Sequence, residues 1–149
     1  MVLTVQMPNK PAVTITRTAT KNDKLVYVGL ANRMIQYTKG SSRIVYIGTT
    51  GEGASRIAAS AAHKAGALLG NHGITHLEFY VVTSSIKNGV QTWKSLERGL
   101  LITFREMFGA APLENKTGQG MKWREDDNLF SRPRLKTVIE KYSKLKPAI

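Results

Sequence analysis

The sequence predicts an α/β fold: a small, mainly antiparallel three-stranded sheet with flanking helices in the order ββαβα, followed by one more helix at the C-terminus. Three observations carry this expectation. Two short β-rich runs, Leu25-Val26-Tyr27-Val28-Gly29-Leu30 and Arg43-Ile44-Val45-Tyr46-Ile47-Gly48, lie close together in the chain, as antiparallel neighbours do. An Ala-rich stretch follows, with the composition of a helix. Beyond it, a long segment repeats apolar residues at helical spacing.

Residues 1–24 are polar, with Pro11 and scattered Lys and Arg, and are expected to form a basic N-terminal arm or an extra edge strand. Leu25–Leu30 is the first strand. Asn32 to Ser42 reads as a loop with room for a short strand, closed by Lys39-Gly40-Ser41-Ser42. Arg43–Gly48 is the second strand and Thr49 to Gly53 a turn. Ala54 to Leu69 is the first helix, stopped by Gly70-Asn71-His72-Gly73. His76 to Thr83 is the third strand, Val90 to Phe108 the long amphipathic helix, and Gly109 to Gly120 a Pro- and Gly-containing loop that carries Asn115. Trp123 to Ser131 is irregular. The last helix runs from Pro133 to Leu145, with Leu135, Val138, Ile139, Tyr142 and Leu145 on one face and Lys and Arg opposite. These elements divide the chain into an arm (1–24), a main domain (25–120) and a basic C-terminal extension with a helix (121–149).

Composition narrows the function. With 22 Lys and Arg against 10 Asp and Glu, the formal charge is +12 over 149 residues. Such self-repulsion gives folding no advantage, and its usual purpose is a polyanionic partner, most often nucleic acid. Cysteine is absent, which excludes disulfides and thiolate metal sites, and three His make a histidine zinc cage an unpromising idea. The N-terminus Met1-Val2-Leu3-Thr4 lacks a basic n-region and no apolar run approaches the roughly 20 residues of a membrane span. A cytoplasmic protein without a membrane partner is expected.

One charge on the long helix is out of place. Trp93, Leu96, Leu100, Leu101, Phe104, Met107 and Phe108 form an apolar stripe, and at ~100° per residue Glu97 projects inside it, whereas Lys94, Arg98, Arg105 and Glu106 fall outside. An unpaired buried carboxylate costs several kcal/mol in order of magnitude and needs a cation. Glu97 is therefore either one half of a structural ion pair, or a metal ligand or general base in a cleft. On the first helix, Arg56, Ser60, His63 and Ala67 share a face suited to phosphate approach. The plainer reading is a solvated Arg56 and a surface His63 without a role.

Tyr27-Val28 on the first strand, Tyr46-Ile47-Gly48 ending the second, Arg56 on the following helix, Glu97 on the next and Asn115 in the loop after it form an ordered set. This set resembles the GIY-YIG nuclease family, which includes homing endonucleases, restriction enzymes and the incision module of excision repair. The most specific part is Tyr46-Ile47-Gly48-Thr49-Thr50 with Arg56 ten residues after the tyrosine; the resemblance covers about Leu25 to Gly118. It implies a GIY-YIG-like fold and a metal-dependent DNA endonuclease. Tyr46 would activate water, Arg56 bind the scissile phosphate, and Glu97 hold one Mg²⁺ or Mn²⁺ ion. Tyr27 would assist and Asn115 brace the site. The chain departs from the pattern in the long step between Tyr27 and Tyr46, which makes the intervening loop an insertion and Tyr37 a rival first tyrosine. It departs again in Ser60 where a His or Tyr is common, with His63 as a substitute, and in Thr49 where several relatives carry Lys.

Phosphodiester hydrolysis needs an in-line nucleophile and relief of negative charge. A divalent ion on one carboxylate keeps positions open for phosphate and water, and the planar fork of Arg56 suits phosphate. Tyrosine, with a pKa near ~10, is a poor base unless positive charge favours the phenolate, so Arg56 or another cation is expected beside Tyr46. Arg43, Lys64, Lys116, Lys122 and Arg124 are expected to contact the DNA backbone, giving affinity rather than sequence choice. Trp123, between Lys122 and Arg124, either stacks on a base or packs under the tail, and packing is the favoured expectation. The competing function is a basic nucleic-acid-binding module that does not cut.

Overall fold

The computed structural model describes residues 1–11, 24–116 and 118–148. Its order is β1 (Leu25–Tyr37), β2 (Gly40–Thr50), α1 (Ala54–Leu68), β3 (Leu77–Val82), α2 (Thr92–Phe108), a short 3-10 helix (Glu125–Leu129) and α3 (Arg132–Lys144). The three strands form one antiparallel sheet in the order β2-β1-β3. The expected class and element order are therefore present. Residues 1–11 are exposed and outside any strand, and the rest of the expected arm, 12–23, lies outside the described residues. Among the described residues no helix is long and apolar enough to cross a membrane.

The segment read as a loop with room for a short strand, Asn32 to Ser42, is the far half of a hairpin, so the strand is present and longer than expected. β1 continues to Tyr37, turns through Thr38-Lys39, and returns as β2 from Gly40, with Ile35, Gln36 and Tyr37 paired to Ser42, Ser41 and Gly40. The strand signal was masked by an irregularity: from Leu30 to Ile35 the chain takes five steps against two between their partners Ile44 and Ser42. The bulged stretch is tied down by Asn32, whose Nδ2 donates to Thr75 Oγ1 at 2.9 Å and whose backbone N–H donates to the His76 carbonyl at 3.2 Å. Ile35 and Tyr37 stay buried across it.

β1 is the central strand, and Leu25 through Ala31 are buried without interruption because both sheet faces are covered. Val26, Val28 and Leu30 face a core completed by Leu96, Leu100, Leu101 and Phe104 of α2 and by Leu135 and Ile139 of α3. The stretch read as an extension thus supplies part of the same core. α2 and α3 approach closely at Gly99, where a Cβ would lie 2.9 Å from Leu135 Cδ1. The opposite face carries a smaller cluster of Leu25, Tyr27 and Ile57, with Tyr46 and Phe79 partly buried against it. α1 covers this second face through Ile57.

Candidate active site

Strand register places the two motif tyrosines side by side. Tyr27 pairs with Gly48 and Gly29 with Tyr46, so all four share the face under α1. The Tyr27 and Tyr46 rings sit 5.8 Å apart at 42°, and Phe79 of β3 closes the row 6.3 Å from Tyr27. Tyr37, the rival, belongs elsewhere. It is buried against Phe104 and Phe108, its hydroxyl donates to the Ile44 carbonyl at 2.7 Å and accepts from Leu113 N–H at 3.1 Å, and burial pushes its pKa up to about 12.

Gly48 makes this pairing sterically feasible. A Cβ there would lie 2.6 Å from Tyr46 Cε1, 2.8 Å from Tyr27 Cζ and 2.9 Å from Tyr27 Oη, so both rings fold over bare backbone. Gly48→Ala is expected to force the rings apart at a cost of about 1–3 kcal/mol, as overpacking does. A lower urea midpoint with an unchanged slope would show it. A midpoint equal to that of the wild type would mean that the rings swing aside freely.

Glu97 lies on the second turn of α2, half-buried as its place in the apolar stripe predicts. Among the described residues no Lys, Arg or His forms an ion pair with it. Burial raises its carboxyl pKa to about 7, against a weaker opposing pull from Lys94. Its charge reaches Tyr46. The Tyr46 phenol is held above its ordinary value by burial first, then by the charge of Tyr27, a hydrogen bond with Tyr27, and the charge of Glu97. Of the two expected sources of positive charge beside Tyr46, Arg56 or another cation, the fold supplies the second. Arg56 is exposed on the first turn of α1 and its Nε lies 3.8 Å from Glu52 Oε2, one helical turn away. The cation beside Tyr46 is Lys64, whose Nζ sits 4.9 Å from the ring centroid and donates to the Glu114 carbonyl at 3.4 Å. Sequence reading placed Lys64 only among the DNA contacts; its spacing eight residues after Arg56 carries no signal for this contact.

Asn115 braces the edge strand. Its Oδ1 accepts from Ile47 N–H at 2.9 Å and its Nδ2 donates to the Ile47 carbonyl at 2.7 Å, while Glu114 N–H donates to Val45 at 2.9 Å. The loop thus completes the outer edge of β2 next to Tyr46, as a further strand would. His63 is exposed on α1. Arg43, between the buried Ser42 and Ile44, is half-buried, and its Nε and Nη1 are buried without a hydrogen-bond partner. Lys116, Lys122 and Arg124 are exposed. Trp123 packs, as expected: its Nε1 donates to Glu106 Oε1 at 2.6 Å and Arg132 lies 4.5 Å over its ring.

Among the described residues no group of three or more His, Asp or Glu converges on a point. Among the described residues, Glu97 is a half-buried carboxylate without an ion-pair partner, a single possible metal donor. Such a donor suits Mg²⁺ or Mn²⁺, which accept one carboxylate and complete their shell with water and phosphate oxygen, and it does not suit zinc. Comparison with family models, with curated proteins and with solved structures finds no match.

Proposed function

We propose that this chain is a metal-dependent DNA endonuclease of the GIY-YIG type. The observation that carries the reading is the half-buried Glu97, without an ion-pair partner among the described residues, acting electrostatically on one of two tyrosines packed over Gly48. A structural carboxylate in that position would have a cation of its own. Bound by Glu97, a divalent ion would supply charge relief on the scissile phosphate.

The remaining roles follow from the chain's own groups. Tyr46, as its phenolate, holds the attacking water and takes its proton, becoming the phenol, as the water oxygen bonds to phosphorus and the bond to the leaving oxygen breaks, the leaving oxygen taking a proton from solvent; the Tyr27 ring packs beside it. Lys64 lends positive charge to that phenolate from the ring face before the proton arrives. Arg56 exchanges Glu52 for the phosphate. Their pair is exposed, with 61% and 74% of the side-chain surfaces accessible, and such pairs are worth at most about 1 kcal/mol. A bidentate phosphate contact outcompetes it. Asn115 keeps β2, and so Tyr46, in register with the loop.

The test is nicking of supercoiled plasmid with Mg²⁺ or Mn²⁺ against a chelator control. Metal-dependent conversion to open circles is expected. The surplus charge favours a second reading, a basic module that binds nucleic acid and does not cut. Binding without cleavage of any duplex, flapped, branched or single-stranded DNA would leave that reading in place of the enzyme.

A further inference from the structure

A groove of about 610 Å³ opens between α2 and the loop that follows Asn115. Four cations line it, Arg98, Lys116, Lys122 and Arg124, with Gly118 and Gly120 between them, and among the described residues no carboxylate lines it. The loop is shaped by arginines of α2. Arg105 Nη1 donates to the carbonyls of Gly118 at 2.6 Å and Gln119 at 3.1 Å, and Arg98 Nη2 donates to that of Lys122. Gly118 takes φ +110°, a conformation that side-chain-bearing residues rarely adopt, and a Cβ at Gly120 would meet nothing within 4 Å. Gly120 therefore leaves part of the wall as open backbone, beside Gln119, Met121 and the four cations, where a phosphate can come close to the main chain.

We propose that this groove is a track for the phosphate backbone of a nucleic acid strand, on one side of the candidate active site. The groove adjoins that site through three consecutive residues. Glu114 accepts from Lys64, which lies over Tyr46; Asn115 clasps Ile47; Lys116 is the first cation of the groove. A cleft of one charge sign focuses its field and favours a polyanion. Membrane-binding surfaces set apolar side chains beside their cations. Here the exposed large apolar residues, such as Met1, Leu3 and Ile86, lie outside the groove. The position of the track relative to cutting rests on the endonuclease reading; binding in the groove does not.

The experiment is equilibrium binding of fluorescent duplex DNA in chelator, over a series of KCl concentrations. Four proteins are compared: wild type, Glu97→Ala, the groove variant Lys116→Gln/Lys122→Gln, and a charge-matched control, Lys136→Gln/Lys144→Gln, on α3. The four lysines replaced are exposed, so the fold is retained, and Arg98 and Arg105 stay in place to hold the loop. Each phosphate contact contributes about −0.9 to the slope of log affinity against log salt. The groove variant is expected to lose about 1.8 from that slope and to bind more weakly, with the control and Glu97→Ala close to wild type. Equal losses in groove variant and control would mean diffuse surface charge and overturn the proposal, as would an unchanged slope. Unchanged DNA binding by the groove variant, with loss of binding to vesicles containing phosphatidylserine, would assign the groove to membrane headgroups and overturn it also. A wild type that binds through the groove yet nicks no plasmid upholds the track and removes the endonuclease reading.

Discussion

Glu97→Ala is expected to abolish cutting and to leave the metal-free protein about as stable as the wild type, or more so. Several kcal/mol of transition-state charge relief rest on the ion that Glu97 would hold, so cleavage falls by about 10³-fold or more. Stability behaves differently because the carboxylate is partly desolvated without an ion-pair partner among the described residues. Its removal relieves that cost against a cavity term of about 1 kcal/mol. Had Glu97 been half of a buried ion pair, its loss would cost roughly 3–5 kcal/mol. The sign of the pH dependence is also set. The Glu97 carboxyl titrates near 4.5 in an unfolded chain and at about 7 in the fold, so the folded state keeps its proton longer. The stability that comes from this preference is whole below pH 4.5 and lost as pH rises through about 7. The melting temperature of wild type relative to Glu97→Gln should therefore fall across that window in chelator. Mn²⁺ should raise the melting temperature of wild type above pH 7 and leave both variants unchanged. A strongly destabilised Glu97→Ala, with no Mn²⁺ shift in wild type, would make Glu97 architectural.

Tyr46→Phe should bind DNA as the wild type does and lose about 10²–10⁴ in cleavage rate, the usual worth of a placed proton acceptor. Only a hydroxyl is removed, and the ring contacts with Tyr27 and Lys64 persist. Since burial, Tyr27 and Glu97 all hold the phenol above its ordinary pKa, cutting should rise with pH through the Glu97 window and continue upward beyond it. Lys64→Met keeps the stem over the ring and removes the charge. It should cut more slowly at neutral pH and recover as pH rises, which a purely structural lysine would not do. Single-turnover rates over a pH series measure both. Near-wild-type cleavage by Tyr46→Phe would show that another group activates the water.

Much of this protein is legible in its sequence because the relevant signals are local. The spacing of apolar residues marks α2 and α3, alanine content and the glycines after it bound α1, and the same projection along one helix that finds the stripe also finds Glu97 inside it. These depend on neighbours within a few residues, so periodicity suffices. The order of Tyr27, Tyr46, Arg56, Glu97 and Asn115 along the chain is equally plain. What pairing across the sheet and packing around its edge decided was not. The register sets Tyr27 opposite Gly48 and leaves Tyr37 in the other core, a choice that spacing alone left open. The hairpin beyond Leu30 forms because Ile35 and Tyr37 find partners on β2 across a bulge, which no local pattern announces. Arg43 buries its Nε and Nη1 while Lys64 lays its ammonium over Tyr46, and Arg56 turns to Glu52. Each of these long side chains has several staggered arrangements of similar energy. The contacts that choose among them come from elements distant in sequence, and exist only once the sheet and the loop along its edge are in place.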